Sequence, residues 1–193
     1  MVPMRPTVII QSTMGRIGVP VVGVIAAALL ALEALSGGPI AALFALPWLG
    51  LVVVLAWLLW ASASVRLETE HLVLDNPLST VRLGWGAVQE ARSRWGLVVD
   101  ADGREHKAWA APARGTASFG RQRVDPQQDL QPTAAGAPAI RMDLDARAAA
   151  LLIGEEALVR GPGSPSTVAR RLHRSRVVLL VTLALLSFAT AVL

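Results

Sequence analysis

The sequence predicts an α+β membrane protein: an N-terminal transmembrane helical hairpin, a small antiparallel sheet domain closed by an amphipathic helix, and a C-terminal transmembrane helix. Three observations carry that prediction. Apolar runs with at most one charge occupy 17–35, 40–60 and 177–193. Between the second and third, short alternating stretches are separated by turn residues at intervals too tight for crossover helices. Finally, 193 residues with 53% hydrophobic content and mean hydropathy +0.51 hold more apolar surface than one soluble domain buries, so the surplus belongs in lipid.

The elements follow in order. Residues 1–16 are expected to be a cytoplasmic N-terminus, and 17–61 a transmembrane hairpin. Its first run, IGVPVVGVIAAALLALEAL, has only Glu33 charged, and SGGP at 36–39 forces a tight link to the second run. A cleaved signal peptide competes for the first run, but the second follows too closely for an ordinary cleavage region. Pro47 in the second run is tolerable where neighbouring helices absorb a kink. Trp57 and Trp60 suit either an interfacial aromatic belt or helix packing. The third span is expected at 177–193, after a basic linker at 161–176. Arg5, Arg16, Arg66 and the RRLHRSR cluster at 170–176 all fall on one side of the implied bilayer. Positive flanks face the cytoplasm, so the soluble segment is expected there, in a multi-pass protein of the inner membrane.

Within 63–160, VRLET alternates, LVLDN and TVRLGW flank a turn, ARSRWGLVVD breaks at Gly96, and ADG leads into REHKAWA. That is an antiparallel meander. Residues 112–138, rich in Gly, Pro, Gln, Ala and Ser without periodicity, read as a flexible insertion, and IRMDL at 140–144 as one more strand. Asp145 is the expected N-cap of ARAAALLIGEEALVR, whose apolar side would hold Ala148, Leu151, Leu152, Leu158 and Val159 and which should stop at Gly161.

A curved antiparallel sheet closed by a helix describes a pleckstrin-homology-like (PH-like) barrel. The stretch VRLETEHLVLDNPLSTVRLGWGAVQEARSRWGLVVDADGREHKAWAA resembles the bacterial PH-like domain of small actinobacterial membrane proteins of the low-molecular-weight antigen type. The matching features are Trp85-Gly86-Ala87-Val88, an aromatic residue leading a short turn into the next strand, and the Asp102-Gly103 turn. The resemblance covers about 63–111 and the hairpin before it, whereas the 112–138 insertion and the third span depart from the family pattern. It implies a fold and membrane tethering, with no established ligand or reaction.

Charge narrows the partners. Between Arg66 and Arg160 there are 12 basic and 13 acidic residues, so the soluble segment is near neutral and nucleic acid is not expected. Every basic residue but Lys107 is Arg, and Ala is abundant, a usage that fits a GC-rich bacterial genome. Cysteine is absent, which excludes disulfides and thiolate chemistry. His71, His106 and His173 are too scattered for a metal site, Asp143 and Asp145 read as helix-start residues, and GPGSPS lacks the lysine of a phosphate loop. Neither a cofactor nor enzymatic function is expected. Trp85, Trp95 and Trp109 read as barrel core in preference to ligand stacking. The candidates for anionic headgroup contact are Arg92, Arg94, Arg170, Arg171, Arg174 and Arg176, with Arg104 and Lys107 as a further basic pair. The expected function is a membrane-tethered, non-catalytic scaffold that recruits a protein partner, with self-association left open. An anionic-lipid sensor is the alternative. A transport-complex subunit using Glu33 ranks third, because three spans leave little room for a pore.

Overall fold

A computed structural model describes residues 7–12, 14–111, 131–132 and 138–192. Apart from 131–132 and 138, the expected flexible insertion at 112–138 lies outside the described residues. The fold is mixed α+β, and the chain divides into two units: 1–12 with 63–171, and 13–62 with 172–193.

The second unit holds three helices long and apolar enough to cross a membrane. α1 (Met14–Ser36) and α2 (Gly38–Ala56) form the hairpin, and α4 (Arg174–Val192) packs on α2. Both Pro20 and Pro47 sit inside continuous helix. The tight link expected at SGGP is a single residue between the helices, with Gly38 at φ 81°. After Ala56 the chain widens into a π-turn over Trp57–Ala61, where the Ser62 amide donates to Trp57 O. Trp60 is a packing residue: a Cβ on Gly18 would lie 3.0 Å from its ring, a tight contact that glycine avoids. The Trp57 ring carries the Arg176 guanidinium 5.2 Å from its centroid, so Arg176 caps an aromatic ring at the base of α4.

The first unit contains two sheets and one helix on a shared core. The meander appears as β2 (Ser64–Leu67), β3 (His71–Asp75) and β4 (Ser79–Gly84), then a short 3₁₀ turn at Trp85–Ala87. A separate three-stranded sheet follows: β5 (Val88–Ser93), β6 (Leu97–Ala101) and β7 (Arg104–Ala108), in the order β5-β6-β7. β6 and β7 are joined by Asp102 and Gly103, both at positive φ (51° and 68°), the tight hairpin turn that an Asp-Gly pair favours. α3 (Ala146–Arg160) starts where Asp145 accepts from the Ala148 amide at 2.8 Å, as its N-cap role requires. The core joins both sheets and α3 through Val65, Leu67, Leu74, Leu83, Trp85, Leu97, Val99, Ala149 and Ile153.

Four expectations need correction. First, residues 1–16 are more than a tail: β1 (Thr7–Ile10) pairs antiparallel with β2 and buries Ile10 in the core. Second, β9 (Pro138–Met142) runs parallel to β1, so the larger sheet, ordered β10-β4-β3-β2-β1-β9-β8 with β8 at Gln131–Pro132 and β10 at Val168–Leu172, is not purely antiparallel. Among the described residues the two sheets do not close into a barrel. Third, the expected linker at 161–176 is not one segment: its part within the sheet unit lies against β4, and 174–176 begin α4. The Gly84 amide donates to Thr167 O at 2.7 Å, β10 (Val168–Leu172) joins β4, and a Cβ on Gly84 would lie 1.9 Å from Pro165 O. Fourth, α3 buries Ala146, Ala149, Ala150 and Ile153; of the side read from the sequence Leu152 packs against the core, whereas Leu151, Leu158 and Val159 stay exposed. Alanine allows a helix to lie close on β5 and β6, and that close approach decides which side faces in.

Candidate binding cleft on the three-stranded sheet

Strand register builds the site. Arg92 pairs with Val98 and Val98 with Lys107, so these three side chains stand in one row across the β5-β6-β7 face. The next row, by the same register, is Glu90, Asp100 and Glu105. Leu97, Val99 and Ala101 alternate onto the opposite, core face.

Arg92 gathers all three acids of the second row: Asp100 at 2.5 Å, Glu105 at 3.1 Å and Glu90 at 3.9 Å. It is therefore the counter-ion of its own sheet's carboxylates, with its side chain 46% exposed. Arg94 and Lys107, by contrast, have no ion-pair partner among the described residues. The face is polarised, with three carboxylates around the single Arg92 at one end and Arg94 and Lys107 at the other.

At the cationic end a cleft of about 330 Å³ opens, lined by Arg94, Trp95, Leu97, Val98, Glu105, Lys107 and Trp109 among others. Trp95 is 93% and Trp109 56% exposed, which overturns the expectation that they fill the core. Gly96, at φ 142°, breaks the alternation at the hairpin tip and swings Trp95 away from the side that Leu97 faces. Trp109 follows Ala108, the last core-facing residue of β7, and so points outward. Its backbone is fixed: Asn76, in the β3–β4 turn, accepts from the Trp109 amide at 3.0 Å and donates to Lys107 O at 2.8 Å. The DNPLS turn thus clamps the edge of one sheet to the other.

Trp85 behaves as expected of a core residue. Fully buried, it donates its indole N–H to Glu68 O at 3.0 Å, and the Arg160 guanidinium sits 5.3 Å over its ring. Arg160 Nη1 also donates to Glu68 O, at 2.7 Å. His106, on β7, has its pKa lowered below 6.5 by burial, then by Arg170 and Arg104, with Asp100 opposing. Arg104 alternates away from Lys107 and does not line the cleft, so that basic pair is divided. Of the other candidates, Arg170 and Arg171 lie exposed on β10 of the sheet unit, whereas Arg174 and Arg176 lie on α4 of the helical unit.

Two exposed indoles therefore stand beside Arg94 and Lys107 on this sheet; Trp and Arg are residue types enriched at the centres of protein interfaces. Glu105, the lining carboxylate, is already held by Arg92. No family model, curated protein or solved structure matches this chain.

Proposed function

We propose that the chain is a membrane-tethered, non-catalytic scaffold that recruits a protein partner through the Trp95–Trp109 cleft. The exposed indole pair beside Arg94 and Lys107 carries this reading. Exposing two tryptophans to water costs hydrophobic free energy that a partner surface would recover. Three helices long and apolar enough to span a bilayer support the tethering, and the one-sided arginine distribution supports a cytoplasmic sheet unit at the inner membrane. The three-strand meander, second three-stranded sheet and following helix support a PH-like relationship.

A photo-crosslinking residue placed at Trp95 or Trp109 in the full chain, irradiated in native membranes, tests the proposal. Protein adducts are expected from these two positions and not from a control at Asp102, the exposed turn of the neighbouring hairpin. Adducts to lipid alone would refute the partner reading and favour the anionic-lipid sensor.

A further inference from the structure

The cleft has a counterpart on the same unit. Because α3 turns alanines inward, Leu151, Leu158 and Val159 remain 64%, 81% and 62% exposed. Leu151, Glu155 and Leu158 follow the i, i+4, i+7 spacing of a single helical stripe, with Val159 beside it. Glu155 is exposed in the middle of that stripe and has no ion-pair partner among the described residues. Its neighbour Glu156 is held by Arg160 at 2.5 Å. One surface therefore presents two indoles and two uncommitted cations, and the other presents aliphatic side chains around one uncommitted carboxylate.

The two surfaces cannot meet within one copy. The buried side of α3 packs on the core face of β5 and β6, while the cleft opens on the opposite face of that sheet. Building on the reading of the cleft as a protein-binding surface, we propose that its occupant is a second copy of this chain. That copy's α3 lays Leu151 and Leu158 across Trp95 and Trp109 and brings Glu155 to Arg94 and Lys107, a helix-in-groove contact. An anionic bilayer surface fits the stripe less well, because the Glu155 carboxylate at its centre would be repelled. Since the contact joins two different surfaces, it is head-to-tail and produces a ring or a row of copies.

The test uses the full-length chain, which has no native cysteine. With Lys107→Cys and Glu155→Cys in one chain, mild oxidation in membranes is expected to give a ladder of covalent oligomers. Either variant alone should stop at dimers. In detergent, sedimentation should show association weakened roughly tenfold or more by Glu155→Arg, and likewise by Arg94→Glu with Lys107→Glu. Mixing the two charge-reversed chains should restore association between them. All three positions are exposed, so melting temperatures should match the wild type, and the milder Glu155→Gln should weaken association in the same direction. A wild-type chain that stays monomeric, or association indifferent to these changes, would overturn the second-copy inference. If that happened while Trp95 and Trp109 still crosslinked to other proteins, the partner reading would stand alone. Lipid-only adducts would remove both.

Discussion

Replacing Trp85 with alanine should strongly destabilise the sheet unit. Trp85 is fully buried among strands of both sheets and α3, and its indole is held by the Glu68 carbonyl and covered by Arg160. Truncating a buried tryptophan costs about 3–5 kcal/mol through lost burial and the cavity left behind. Domain stabilities are about 5–15 kcal/mol, so the loss takes roughly a fifth of the total at the least and most of it in a marginal domain. At about 2–8 °C per kcal/mol, the range that brackets a unit of this size, the melting transition should fall by roughly 6 °C or more. Trp85→Phe separates the causes. It keeps most of the ring but removes the donor to Glu68 O, which Arg160 still satisfies at 2.7 Å, so the cost of that bond alone should be about 1 kcal/mol. The assay is thermal melting of the full chain in detergent, followed by near-ultraviolet circular dichroism. A Trp85→Ala protein melting with the wild type, or one no less stable than Trp85→Phe, would refute the argument that Trp85 joins the two sheets.

Gly84→Ala should dislodge the segment entering β10, because its Cβ would meet Pro165 O at 1.9 Å. A destabilisation of about 1–3 kcal/mol and faster proteolysis between Gly161 and Thr167 are expected, and unchanged proteolysis would show that the segment is not docked there. His106, with its pKa lowered in the fold, contributes stability that is fully present above about 6.5, its unfolded value, and is lost as pH falls through the lower folded value. Melting temperatures at mildly acidic and neutral pH should therefore differ more for the wild type than for His106→Gln, and equal differences would contradict it. By nuclear magnetic resonance, Arg170→Gln should raise the His106 pKa, since Arg170 is the leading charged cause of its depression.

Much of the architecture was legible because its signals are local. Three uncharged or nearly uncharged runs became helices, since lipid-compatible length and composition need no neighbour to be recognised. The Asp102-Gly103 turn and the Asp145 cap were equally readable, because each depends on backbone geometry within four residues. Trp85 could be assigned by parity, lying two and four residues beyond the core-facing Leu83 and Val81.

The candidate site was less legible for reasons visible in its residues. β7 reads Arg-Glu-His-Lys-Ala, with no large apolar residue to show which alternate side faces the core, so the outward position of Trp109 carried no signal. Trp95 has the parity of Leu97 and Val99, and only the turn at Gly96 reverses its direction. The role of Arg92 depended on register: Asp100 and Glu105 are remote in sequence until β5, β6 and β7 align them.

By itself, then, the sequence determined the three apolar helices, the meander strands, their tight turns and the start of α3, each specified by neighbouring residues. Only the tertiary structure decided that β1, before the apolar hairpin, and β10, before the last apolar helix, join one sheet, and that α3 turns its alanines inward. It also decided that Trp85 is buried while Trp95 and Trp109 meet water beside Arg94 and Lys107. Those outcomes depend on pairing between distant segments and on how closely a helix can approach a sheet, and neither is written in any short stretch of chain.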